Sequence, residues 1–266
     1  VGVFDVSFGG KTEVPSVGIL MMENLGKEDE EFWSSGMTAD LITRVAGAGL
    51  IRVASLKDVR NIDTKLSLEE IAKKLQVKYI LTHSFLIKDD GFDLWCKLEN
   101  IENGVALFSN KISEPMSMTT QIVGKLANDI ITSLKVNTKQ DMMKTLTNNV
   151  EAYEYYLKAL NRFFYSTKDN DEDIIKGLLY KAIEIDPNLI IAKLLLGSMN
   201  KDREKALEIY LSSLKQAEII GDSIGIAYSL GNIGFYYMNT GNYDKQIEYC
   251  YKSINILEDI GDRYGL

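Results

Sequence analysis

The side chains best suited to chemistry are scattered along this sequence rather than gathered. The single histidine, His83, falls in a strand-like run with no acid–nucleophile pair near it in sequence. A catalytic histidine needs convergent partners within hydrogen-bond reach, so this one reads as packed in or on a sheet. Cys96 lies in an apolar strand pattern and Cys250 in a helical one. Both read as small buried hydrophobes, and with one histidine they make no metal-ligand spacing. The acidic run Asp169–Asp173 lacks the loop glycine and terminal glutamate of a calcium hand, so it reads as a solvated insertion. Gly36-Met37-Thr38 stands where a helix would open after a strand. Free backbone N–H groups there could meet an anion, which makes Gly36 and Thr38 a candidate anion site, although one glycine is not a phosphate fingerprint. The patterns GxxxxGK[ST], HRD and DFG do not occur. No catalytic residue, metal site or cofactor is therefore predicted, and the chain reads as a non-enzyme.

Composition narrows the partners. With 30 basic and 38 acidic residues the net charge is −8. Residues 1–135 and 136–266 each carry 15 basic and 19 acidic groups, so neither half offers a basic lobe to a phosphate backbone. Nucleic acid is not an expected partner. The longest apolar runs, such as Val17–Met22, are far shorter than a bilayer span, and membrane insertion within these residues is not expected. Localisation stays open, periplasmic if a transmembrane helix precedes Val1 and cytoplasmic otherwise.

The elements that must position any site change type along the chain. Residues 1–14 show no period and read as a leader or linker. Val17–Met22 and Ile51–Ser55 suit strands, with Glu23-Asn24-Leu25-Gly26 as a turn between the first strand and a helix. That helix carries Leu41, Ile42 and Val45 on one face, with Ser35 or Thr38 as its cap. Ser67 with Glu70 three residues later reads as a capping box opening a second helix. Lys78–Lys88, Phe92–Ile101 and Val105–Ser113 then alternate, separated by Asp-Gly and Asn-Gly hairpin turns. A helix near Thr119–Leu134 closes the unit. The order βαβαβββα predicts an α/β domain with a mixed sheet of about five strands over residues 15–135. Residues 136–149, polar and without period, read as a linker.

From 150 to 266 every pattern is helical, and it repeats. At an offset of 40 residues Glu208 matches Glu248, Ser213 matches Ser253, and Ile220-Gly221-Asp222 matches Ile260-Gly261-Asp262. A fixed period of that size marks stacked units that cannot bury their faces alone. Leu230-x2-Ile233-Gly234-x2-Tyr237, followed by Gly241-Asn242-Tyr243, has the tetratricopeptide pattern. Three units are expected near 151–187, 188–221 and 222–260, with Leu194 at the small position of the middle one. Gly261 onward matches the start of a fourth, so the native polypeptide is expected to continue. The fold class is therefore an α/β domain followed by an all-α tetratricopeptide-type helical solenoid.

Three stretches carry a wider resemblance: Ser16-Val17-Gly18-Ile19-Leu20 with Glu23-Asn24-Leu25, Gly36–Ile42, and Ile71–Leu81. Through them residues 15–135 resemble the TolB-like amino-terminal, FlgO-type domain, with Met21-Met22 standing where that family usually has Pro-Phe. Joined to tetratricopeptide repeats, such domains occur beside class III adenylate or guanylate cyclases and serine/threonine kinases of bacteria. The resemblance implies a regulatory, protein-binding segment of a signalling protein, with homodimerisation possible by analogy to the cyclases. An envelope scaffold is the alternative it implies, and an enzyme with an unrecognised cleft a third. By analogy with the repeats, a protein or peptide partner would lie in the groove against Tyr228, Phe235, Met238 and Asn239; the alternative is that these pack against neighbouring helices.

Overall fold

In the computed structural model, which describes residues 14–49, 51–165 and 171–261, the amino-terminal half builds a six-stranded mixed sheet. Its strands are β1 (Ser16–Ile19), β2 (Glu23–Asn24), β3 (Arg52–Val53), β4 (Tyr79–Lys88), β5 (Gly91–Asn100) and β6 (Val105–Pro115). They lie in the order β3-β1-β4-β5-β6, with β2 pairing to β4 off that path. β1 runs parallel to β3 and β4, while β4, β5 and β6 form the predicted antiparallel meander. Phe92, Leu94, Cys96 and Leu98 are buried at every second position of β5, because one face of the sheet packs on helices.

Four helices accompany the sheet: α1 (Glu31–Gly47), α2 (Leu56–Arg60), α3 (Leu68–Leu75) and α4 (Thr119–Ser133). The reciprocal Ser67–Glu70 capping box opens α3 as the sequence predicts. Three expectations need correction. Glu23-Asn24, read as a turn, extends beside β4 as a sixth strand. The five-residue α2 was not foreseen; its signal is local, Ser55 accepting from the Asp58 amide. Most consequentially, α1 begins at Glu31, so Ser35 and Thr38 lie inside it and neither is its cap. The reason is burial. Phe32 and Trp33 go into the core, Trp33 edge-on to Phe92 at 5.6 Å and to Tyr153 at 6.0 Å, and this anchors the helix ahead of Gly36.

The remaining helices form three successive pairs: α5 (Val150–Tyr165) with α6 (Asp171–Ile185), α7 (Ile190–Ser198) with α8 (Arg203–Ile220), and α9 (Ser223–Asn239) with α10 (Tyr243–Ile260). Their breaks fall at the expected unit boundaries. The small position of the middle pair is Gly197 rather than Leu194. A Cβ on Gly197 would stand 2.4 Å from the Tyr210 ring, just as one on Gly234 would stand 2.8 Å from the Cys250 sulfur. Tyr210 and Cys250 are equivalent in the 40-residue register. The glycine precedes its partner by 13 residues in the middle pair and by 16 in the last, which is why an ungapped comparison lands on Leu194.

One hydrophobic cluster runs without interruption from the sheet into the helix pairs, through Leu94, Trp33, Tyr153, Leu157, Leu179 and Leu189. Within residues 136–149, read as a linker, the Met142 and Thr147 side chains are buried, at 4% and 5% exposed, while half of the segment's residues are exposed.

Candidate partner-binding groove

The groove is built from the junction outward. α1 and α5 approach closely at Gly36, where a Cβ would lie 2.6 Å from the Leu157 side chain. Around that contact Ser35 Oγ donates to Asn161 at 2.7 Å, and the Tyr153 hydroxyl donates to Asp40 at 3.1 Å. Asp40 also receives Arg44 Nε at 2.7 Å, one helical turn on, and both side chains of this pair are nearly buried. Burial works against the Arg44 charge, but Asp40 outweighs it and holds the guanidinium above its ordinary value. The other end of the Arg44 fork donates to the Met142 and Lys144 carbonyls. Segment 136–149 is thereby strapped to α1.

The strap continues across the helix pairs. Lys144 Nζ lies 2.9 Å from Asp222, at the start of α9, and the Thr147 hydroxyl donates to Asp186. Asn149 accepts from the Ala152 amide, which caps α5. Between the strap, α1 and the first helix of each pair lies a cavity of about 1160 Å³. Tyr156 of α5, Ile190 and Leu194 of α7, and Ile224 and Tyr228 of α9 are among its walls. Apolar walls broken by carboxylates and amides suit a side chain or a peptide segment.

The predicted groove residues separate on α9. At about 100° per residue, Phe235 and Asn239 fall within about 20° of Tyr228 on the helix circumference, and Met238 about 80° away. Tyr228 lines the cavity. Phe235, two turns further along, is 58% exposed, so the stripe leads out of the cavity onto open surface. Asn239 donates to the Phe235 carbonyl of its own helix at 3.0 Å. Met238 is 37% exposed, off this stripe. The strap's share of the groove was not legible in sequence, since its anchor is Arg44, about 100 residues away from the carbonyls it holds.

The other candidates take different places. Gly36 sits inside α1, and the Thr38 hydroxyl accepts from the Met22 amide at 3.2 Å. The free helix-end amides on which the anion reading rested therefore belong elsewhere. His83 is 5% exposed, facing Cys96 across β4 and β5. Its Nε2 donates to the Leu20 carbonyl at 2.7 Å, which leaves Nδ1 a bare acceptor without a hydrogen-bond partner among the described residues. Burial brings this imidazole down to about 4, against the smaller opposing effect of the Leu20 carbonyl. Cys250 is half-buried and Cys96 buried, and neither is in a disulfide. Asp171, read as solvated, is 9% exposed and pairs with Arg162, while Glu172 pairs with Lys176 and Lys201. Residues 169–170 of that acidic run lie outside the described residues. Among the described residues no group of three His, Cys, Asp or Glu could hold a metal ion, and no helix is long and apolar enough to cross a membrane.

No protein-family model matches the chain. No curated protein matches it significantly. Among solved structures it is similar to TolB from Acinetobacter baumannii, at a TM-score of 0.37 and 14% identity over 48% of this chain and 30% of that one. It is also similar to MamA, at 0.33 and 24% over 54% and 79%, and to the LpoB C-terminal domain from Salmonella enterica, at 0.30 and 17% over 40% and 86%. Each overlap is partial, and the chain spans less than a third of the TolB chain.

Proposed function

We propose that this chain is a non-catalytic protein-interaction module whose helix pairs act as a tetratricopeptide-type array, binding a partner protein or peptide along the first helices. The observation that carries the reading is the stripe on α9 that starts at Tyr228 in the cavity wall and leads to Phe235 on open surface. Rigid aromatic side chains make good anchors because ordering them costs little entropy. The α/β domain holds α1 against α5, and α1 holds the strap that forms the groove's far side. In this reading the domain sets the shape of the binding surface.

The wider setting is a regulatory segment of a bacterial signalling protein, linked to a nucleotide cyclase or protein kinase. It rests on the resemblance of residues 15–135 joined to helical repeats. Affinity capture tests the binding claim. The intact chain should retain a discrete partner that Phe235→Asp loses, with no change in fold by circular dichroism. Retention by both forms, or nucleotide or ester hydrolysis that tracks the purified chain, would overturn it.

A further inference from the structure

β6 ends the sheet with its outer side open. It pairs with β5 alone, and among the described residues no backbone group bonds to its other edge. The Met116 amide donates to the Asp90 carbonyl at 2.7 Å, one step beyond the Gly91–Pro115 pair, which fixes how the ladder alternates. Phe108, Asn110, Ile112 and Glu114 turn their N–H and C=O groups to β5, so Ser109, Lys111 and Ser113 turn theirs outward. Edge strands are normally guarded by a bulge, a proline or a lysine. Here the irregularity lies ahead of Phe108, and Pro115 is the last residue of the strand. Its single lysine folds back over the sheet, with Lys111 Nζ 4.9 Å from the Trp95 ring centre and 2.8 Å from Asp93 of β5. The edge from Ser109 to Ser113 is left unguarded.

We propose that β6 pairs antiparallel with β6 of a second copy of this chain, about a two-fold axis at Asn110, joining two sheets into one. A two-fold contact requires a patch that fits itself, and β6 does so in this register. Ser109 of each copy exchanges outward backbone bonds with Lys111 of the other. Phe108 then faces Ile112 on the side of the sheet that carries the core, where both are half-buried and pack at its margin. The neighbouring registers fit worse. An axis at Lys111 sets two lysines directly opposite, which is destabilising. An axis at Ser109 sets Phe108 against Asn110 and Leu107 against Lys111. This self-complementarity selects a second copy over an unrelated strand. β6 contributes nothing to the cavity walls, so the proposal stands or falls independently of partner capture in the groove.

Sedimentation equilibrium of the full chain should show a dimer. Ser109→Pro removes an outward N–H and leaves the bonds to β5 in place. It should sediment as a monomer with an unchanged circular dichroism spectrum, while Ser109→Ala stays dimeric. Cysteine placement reads the register, with Cys96 and Cys250 changed to alanine. Asn110→Cys should give a disulfide-linked dimer on mild oxidation, its two copies facing each other across the axis. Ser113→Cys should give none, because its copies would lie about 20 Å apart. A monomer at every concentration up to about 100 μM would overturn the proposal. So would a dimer that survives Ser109→Pro, or one that links through position 113 instead of 110. Uptake of a foreign strand by a monomeric chain, lost in Ser109→Pro, would assign the edge to another protein and overturn it too.

Discussion

The Tyr153 hydroxyl, on the first helix of the first helix pair, donates a 3.1 Å hydrogen bond to the Asp40 carboxylate on the helix that covers the sheet. Asp40 in turn neutralises Arg44, accepting from its Nε and Nη2, while Nη1 holds the strap. Three parts of the molecule thus meet on one carboxylate.

Removing each member should cost a different amount. Tyr153→Phe loses one hydrogen bond to a charged group, about 1.5–3 kcal/mol. Asp40→Ala should cost more, about 3–5 kcal/mol, because it leaves a nearly buried guanidinium without its counter-ion. Urea denaturation midpoints give both values. Equal costs would mean that Arg44 finds another partner and that the carboxylate is not the hub.

The strap should loosen when its anchor goes. Arg44→Met keeps much of the side-chain volume while releasing the Met142 and Lys144 carbonyls. Lys139 and Lys144 then become accessible to trypsin, since cleavage follows the population of locally open backbone. Limited digestion followed by mass spectrometry should show cuts after these lysines at least about ten times faster than in the unaltered chain, for about 1.4 kcal/mol of lost local stability. Unchanged cleavage would show the strap held by packing alone.

His83 makes stability depend on pH in one window. Its folded value, about 4, lies below the ordinary 6.5. Between those values the unfolded chain takes a proton that the folded chain refuses, so stability falls as the pH falls from about 6.5 to about 4. At about 1.4 kcal/mol per pH unit the full loss is about 3 kcal/mol. As the chain has one histidine, its ring proton resonances identify themselves. The folded protein should show no titration above about pH 5. His83→Gln should lose less stability between pH 7 and 4.5 than the unaltered protein; a midpoint near 6.5 would place the ring in contact with water.

What sequence made legible follows from range. The Ser67–Glu70 cap, the two hairpin turns and the breaks between helix pairs depend on neighbours within a few residues, and each stands where the pattern puts it. The 40-residue register likewise located α8 to α10 from self-similarity. The start of α1 was misjudged because Gly36 looks like a helix opening, whereas its purpose is the close approach of Leu157, distant in sequence. Leu194 took the place of Gly197 because an ungapped register cannot see that α7 ends about one turn sooner after its glycine than α9 does. Of the residues expected in a groove by analogy with such repeats, Tyr228 lines the cavity and Phe235 lies on the surface beyond it. The strap opposite them was not legible, since a polar segment without period gives no sign of which arginine will hold its carbonyls.

Photo-crosslinking in the native host tests the central claim most directly. p-Benzoylphenylalanine is placed in turn at Tyr228, at Phe235, and at Tyr180, an exposed position on the second helix of the first pair. Positions 228 and 235 should give the same discrete adduct on irradiation, and position 180 none. An adduct at all three positions alike, or at none, would contradict a partner lying along the first helices.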